Sequence, residues 1–197
     1  MNTPIELCRL SKAYGEKVLF SELSFSFPPN GLVALCGPSG SGKTTLLRIL
    51  AGLEQADGGQ VLGMEEKSVS MAFQQPRLLP RQTALSNLLA VLQGKEQVPA
   101  AEQHAREMLK LFYSAELAQK RTEQLSGGEQ QRVSLARAFA VKSEVVLLDE
   151  PTASMDAALS ERVTEQICAF AKQRLVILAS HSAAQLAAAD AKIVLGE

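Results

Sequence analysis

The stretch Gly37-Pro38-Ser39-Gly40-Ser41-Gly42-Lys43-Thr44-Thr45 constrains this chain more than any other. Its spacing is G-x-x-x-x-G-K-[ST], the pattern of a phosphate-binding loop. The flanks fit that pattern. Residues 32–36 before it form a short apolar run of strand length, and residues 45–51 after it have helical apolar spacing. Strand, glycine-rich loop and helix together are the context in which this motif holds phosphate. Gly37, Gly40 and Gly42 let the backbone turn tightly with its N–H groups pointing inward. The following helix adds unpaired N–H donors and the positive end of its dipole. Lys43 can reach β- and γ-phosphates, and the Thr44 hydroxyl suits Mg²⁺. The bland alternative is a glycine-rich turn with no ligand. A lysine and a threonine both in place after a strand argue against it.

At 197 residues the chain is long enough for one large or two small lobes with a real core. Hydrophobic residues are 46% and charged residues 21%, ordinary for a globular protein, and the net charge of −1 gives no global reason to expect a nucleic-acid partner. No apolar run approaches the roughly 20 residues of a membrane span. Asn2, Pro4 and Glu6 interrupt any signal-peptide layout. A membrane role must therefore come through a partner. Cys8, Cys36 and Cys168 have no C-x-x-C spacing and read as buried free thiols in a reducing cytoplasm.

Residues 5–10 and 18–27 read as strands, with a turn at Tyr14-Gly15-Glu16 between them. The alternation at residues 23–27 suits a half-buried antiparallel strand. Tyr14 is either a half-exposed packing residue or a platform on which adenine stacks; the pattern alone leaves both open. Residues 68–73 read as a strand that ends at Gln74. From Pro76 to about Lys120 strand signals stop. One helical pattern follows Thr83, a good N-cap, through Leu85, Leu88, Leu89 and Leu92. Another opens at Pro99 and includes Met108, Leu109, Leu111 and Phe112. Residues of about 76–120 are expected to form a helical lobe inserted in an α/β core of residues 1–75 and 121–197.

Leu125-Ser126-Gly127-Gly128-Glu129 then precedes a helical run over residues 133–140. A serine and two glycines before a helix make either a second anion site or a plain N-cap, and alone the plain cap is favoured. Residues 144–150 are a buried-strand pattern ending in Asp149 and Glu150. Acids at the carboxyl end of a parallel strand face the ligand edge of the sheet. Asp149 suits holding Mg²⁺ through water, and Glu150 suits polarising a water that attacks the γ-phosphate. Residues 174–179 are another buried strand, followed at once by Ser180-His181-Ser182. A lone histidine is usually structural, but His181 sits at a strand's carboxyl edge.

Taken together, these motifs resemble the ATP-binding cassette (ABC) ATPases over nearly the whole chain. Gly37 to Thr44 match the Walker A loop, and Gln74 the Q-loop glutamine that reaches Mg²⁺ and water. Residues 125–129 match the family signature, residues 145–149 Walker B, and Glu150 the catalytic carboxylate. Ser154-Met155-Asp156 match the D-loop, His181 the switch histidine, and Tyr14 the aromatic that stacks on adenine. The resemblance implies an α/β fold: a P-loop NTPase core, an antiparallel β lobe and an inserted helical lobe. It also implies ATP and Mg²⁺ as ligands, with Thr44, Gln74 and Asp149 near the metal. In the implied head-to-tail dimer, Ser126, Gly127 and Gly128 of one subunit face the γ-phosphate held by Lys43 of the other. Glu129 replaces the usual signature glutamine and Met155 the usual D-loop leucine; both changes are tolerable. The chain stops just after its last strand, so no auto-regulation by a following domain is expected.

Residues 72–80 look like the Q-loop of bacterial import ATPases, particularly the nitrate/sulfonate/taurine group. The resemblance thus implies a transport-coupled ATPase, cytoplasmic and peripheral on the inner face of the membrane. Its partners would be transmembrane permease subunits, an identical or similar cassette, and a substrate-binding protein acting through the permease. A soluble superfamily member acting in DNA repair, chromosome organisation or translation is the alternative. Such members usually have a coiled-coil or zinc insertion or two cassettes, which this chain lacks. An unrelated P-loop kinase would not need the Ser126-Gly127-Gly128 site.

Overall fold

The computed structural model describes residues 4–95 and 97–196. Unbroken apolar runs bury both faces of a strand. Such runs make the centre of a five-stranded parallel sheet, where β6 (Val145–Asp149) and β7 (Leu175–Ala179) are buried at every position. With β3 (Gly31–Cys36), β5 (Val69–Ala72) and β8 (Ala191–Val194) the order is β5-β6-β7-β3-β8. The register sets the ligand edge. Leu35 of β3 and Asp149 of β6 are both level with Ala179 of β7. The three segments that follow these strands therefore emerge side by side.

Alternation along the strands sends side chains to two separate cores. Val33, Leu35, Val145, Leu147, Leu175 and Ile177 join Leu46, Leu47 and Leu50 of α1 (Lys43–Leu50). That core also takes Leu7, Leu10, Leu19 and Phe20 from a three-stranded antiparallel sheet of β2 (Lys17–Ser26), β1 (Glu6–Tyr14) and β4 (Gly58–Leu62). Leu32, Ala34, Val146, Leu148, Val176 and Leu178 face the other way, onto helices. Those helices are α2 (Ala84–Leu92), α3 (Val98–Leu111), α4 (Gly127–Ala140) and α5 (Ala157–Ala171).

Thr83 caps α2, accepting from the Ser86 amide, and a proline opens α3. The helix α4 lies beyond residue 120 yet packs on α2 and α3 as well as on β5. It thereby joins the inserted helices to the sheet. Phe112, Phe139 and Phe170 stack at the joint of α3, α4 and α5, with centroids 4.6–6.1 Å apart. A short helix, α6 (Ala183–Ala188), precedes β8. Its alanine-rich sequence has too little apolar contrast to be read from periodicity. Cys8, Cys36 and Cys168 are free thiols but only partly buried; Cys36 and Cys168 pack at the margin of the helix-side core.

Candidate active site

The sheet edge assembles residues that are far apart in sequence. Tyr14 ends β1, Gly40 to Thr45 run from the loop into α1, and Gln74 follows β5. Asp149 ends β6, Glu150 follows it, and His181 lies two residues beyond β7. All of these except Ser41 line one open cavity of about 650 Å³, together with Ser39. Gly37, Pro38 and Ser41 do not line it. The Lys43 ammonium is buried and donates to the Gly37 carbonyl at 2.8 Å and the Pro38 carbonyl at 2.9 Å. These bonds curl the loop around the lysine. Gly37, Gly40 and Gly42 have φ of 140°, 77° and 101°, values that L side chains disfavour. At Gly42 a Cβ would also lie 3.0 Å from Leu19 of the β lobe.

The Thr44 hydroxyl donates to Asp149 Oδ1 at 3.0 Å. Burial raises the Asp149 pKa, opposed first by this bond and then by Arg48 and Lys43. Two hard oxygen donors at a phosphate loop match Mg²⁺, which takes few protein ligands and fills the rest with phosphate and water. Gln74 opens into the same cavity. Among the described residues no cluster of three or more His, Cys, Asp or Glu offers a complete metal cage. The donor set thus fits a metal that arrives with a phosphate ligand.

Glu150 has φ of 47°, unusual for a residue with a side chain. Its amide donates to the Ala179 carbonyl at 3.0 Å, which extends the β6–β7 pairing and holds this bend. The carboxylate lies 3.4 Å from His181 Nε2. Burial raises the Glu150 pKa, opposed first by His181. A half-buried carboxylate with raised basicity beside an imidazole is equipped to take hold of a water.

At the outer end of the cavity Tyr14 is 51% exposed. Its hydroxyl donates to the Glu54 carboxylate, and the Lys12 ammonium sits 5.2 Å from its ring centroid. Sequence reasoning did not find Glu54, 40 residues away, because nothing local marks the contact. It also passed over Lys17, Leu19 and Ala153, which line the cavity. For Lys17 a signal existed. The two-residue turn after Tyr14 pairs them directly across β1 and β2.

Residues 20–153 match the family model described as ABC transporter. The chain belongs to the ABC transporter family. It is 42% identical over 169 residues to the Fe(3+) ions import ATP-binding protein FbpC of Rhizobium etli, a match covering 79% of this chain and 47% of that protein. It is 42% identical over 167 residues to the sulfate/thiosulfate import ATP-binding protein CysA of Burkholderia mallei, covering 78% and 48%. The chain spans about half the length of the curated relatives it matches. The dimeric ATP-binding cassette MJ0796 in a post-hydrolysis state bound to ADP and Pi superposes with a TM-score of 0.88 at 26% identity, covering 97% of this chain and 94% of that one. These names are of iron and sulfate importers, and they give no specific support to the nitrate/sulfonate/taurine group.

In this ABC protein Ser126, Gly127 and Gly128 line no part of the cavity. Ser126 is the N-cap of α4, and both glycines lie inside its first turn rather than before it. The reason is a capping box. The Ser126 hydroxyl accepts from the Glu129 amide at 3.3 Å, and Glu129 Oε2 accepts from the Ser126 amide at 2.7 Å. The Ser126 bonds hold the Glu129 pKa below the usual carboxylate value. Glu129 thus starts the helix at Gly127, six residues before the expected run.

The two glycines differ in surroundings. A Cβ on Gly128 would lie 2.6 Å from the Ser154 carbonyl oxygen, whereas one on Gly127 meets open space. Gly127→Ala should therefore be neutral or stabilise by up to about 1 kcal/mol, the helix gain of alanine over glycine. Gly128→Ala should destabilise by about 1–3 kcal/mol, because backbone must move. Paired thermal melts check this, and equal melting temperatures would contradict the close approach.

Proposed function

We propose that this chain binds ATP in the sheet-edge cavity, hydrolyses it, and so powers import through a separate membrane permease. The observation that supports this best is the convergence of Lys43, Thr44, Gln74, Asp149, Glu150 and His181 on one cavity with Tyr14 at its rim. Tyr14 offers its ring to adenine. The loop amides and Lys43 hold the phosphates, and Glu150 takes the proton of the attacking water while His181 and Gln74 orient it. Thr44, Asp149 and Gln74 would hold Mg²⁺, which supplies positive charge against the phosphates. Ser126 and Gly127 are exposed and outside the cavity. Their place is on the phosphate of a second cassette, in a head-to-tail dimer.

Among the described residues no helix is long and apolar enough to cross a membrane. Attachment to the inner face of the membrane would therefore run through permease subunits, with a substrate-binding protein on their far side. Both relatives above are named as import ATP-binding proteins, which favours import over a soluble role in repair or translation. The apolar surface this region offers a permease is narrow. Leu85, Leu88 and Leu92 are core residues, and Leu78 packs against that core. Leu79 is 45% exposed. Its amide donates to Asn87 Oδ1 at 2.7 Å and its carbonyl accepts from Thr122 Oγ1 at 3.2 Å. Pinned backbone with an outward leucine suits docking of a short partner helix.

Purified chain incubated with Mg-ATP should release phosphate; its failure to do so, alone or with permease, would overturn the reading. With the permease present, Leu79→Glu should abolish most transport and spare basal hydrolysis. Transport at the wild-type rate would move the docking surface elsewhere.

A further inference from the structure

The segment from Gln74 to Leu79 connects the cavity to the exposed docking leucine without a helix or strand of its own. Its far end is fixed by Asn87 and Thr122. Its middle is fixed from another direction. Arg137, in the last turn of α4, donates from Nη1 to the Arg77 carbonyl oxygen at 2.7 Å. The Arg77 guanidinium in turn lies 4.6 Å from the centroid of the Phe73 ring, one residue before Gln74. Arg137 therefore grips the loop by its backbone, and the gripped residue folds back onto the neighbour of Gln74.

The same helix is capped by Ser126, about 17 Å away at 1.5 Å per residue over the intervening 11 residues. One rigid rod thus has the candidate phosphate-facing serine and glycines at one end and the grip on the loop at the other. Arg137 is desolvated enough that burial lowers its pKa, a cost that its charge-assisted bond to a carbonyl offsets. A favourable charge at the helix C-terminus, or packing of its stem, would also place an arginine here. Neither role would act on Gln74.

We propose that Arg137 is a positioning residue: its bond to the Arg77 carbonyl ties the 73–77 segment to α4, so that Gln74 moves in the cavity as α4 moves. This links the signature end of α4 to the water-orienting glutamine by a chain of named contacts, and it rests on the proposed hydrolysis for its kinetic consequence. Hydrogen bonding at the Arg77 carbonyl also occupies the group a protease must attack. The tether is therefore testable without turnover.

The test compares the full chain with Arg137→Met, which keeps an apolar stem and removes donor and charge, and with Arg137→Lys, which keeps the charge at the helix end. Trypsin cleavage after Arg77 should quicken about tenfold or more in Arg137→Met, the scale of a lost charge-assisted bond. Cleavage at other sites should stay within about twofold. With Mg-ATP, kcat should fall about 10- to 100-fold while KM changes less than about twofold, the mark of misplacement rather than lost binding. Arg137→Lys should lie between wild type and Arg137→Met in both readouts. Unchanged cleavage at Arg77, cleavage rising equally everywhere, or a faster-cut loop with normal kcat would each overturn the proposal. So would Arg137→Lys behaving as wild type throughout. A wild-type chain that does not hydrolyse ATP would sink the proposed function instead, and the cleavage pattern would still decide the tether.

Discussion

Glu150→Gln is expected to slow ATP hydrolysis about 100-fold or more, the scale of a lost general base, with ATP still bound. The substitution keeps the shape of the side chain and its place 3.4 Å from His181 but removes the charge. On the proposed function binding persists, because Lys43 and the loop amides, rather than Glu150, would hold the phosphates. The strained backbone at φ 47° is set by the bond to Ala179 and is indifferent to the change. In the proposed head-to-tail dimer, ATP that is not consumed would stay between two subunits, held by Lys43 on one side and by Ser126 and Gly128 on the other. The variant should run as a monomer without nucleotide and as a dimer with Mg-ATP on size exclusion. Adding Ser126→Arg should return it to monomer. That change also removes an N-cap, at a cost of about 1 kcal/mol, so a melt must accompany the column. Normal hydrolysis in Glu150→Gln would remove the base role. A monomer at saturating ATP would keep the role and remove the sandwich.

Lys43→Ala is expected to abolish measurable hydrolysis and to weaken Mg-ATP binding. A charge-assisted contact with phosphate of about 1.5–3 kcal/mol is lost. In addition, the carbonyls of Gly37 and Pro38 lose the donor that both share, and the loop loses what it curls around. Lys43→Arg should not restore activity, because a planar guanidinium does not fit a buried point-charge site between two carbonyls. Titration with a fluorescent ATP analogue and phosphate release measure the two effects separately. Full activity in either variant would show that another group holds the phosphates.

Much of this architecture is legible locally. The phosphate loop, its strand and its helix are contiguous, so their chemistry depends on neighbours within about ten residues. The Thr83 cap and the proline of α3 are equally local. Gln74, Asp149, Glu150 and His181 could each be suspected from a strand ending in a polar residue. Acids at a strand's carboxyl edge suggested the roles of Asp149 and Glu150, whereas those of Gln74 and His181 came from a family resemblance, because strand order cannot be read from the strands themselves. What was misplaced is also instructive. The early start of α4 turns on a reciprocal bond between Ser126 and Glu129, although the serine and the acid three residues later were there to be read.

The sequence by itself determined that a phosphate loop would form at residues 37–45, that a buried strand would end in two acids at Asp149 and Glu150, and that helices would follow residue 76. These follow from backbone conformational limits and from hydrophobic periodicity, both short-range. Only the tertiary structure decided that Asp149 and Leu35 share a level with Ala179, which puts Lys43, Glu150 and His181 around one cavity. It alone set Leu78 inward and Leu79 outward, pressed Gly128 against the Ser154 carbonyl, and hung the loop after Gln74 on Arg137. The physical reason is common to all of these. Hydrogen bonds and close packing act over a few ångströms, and the chain brings such partners together only when both cores have closed on the sheet.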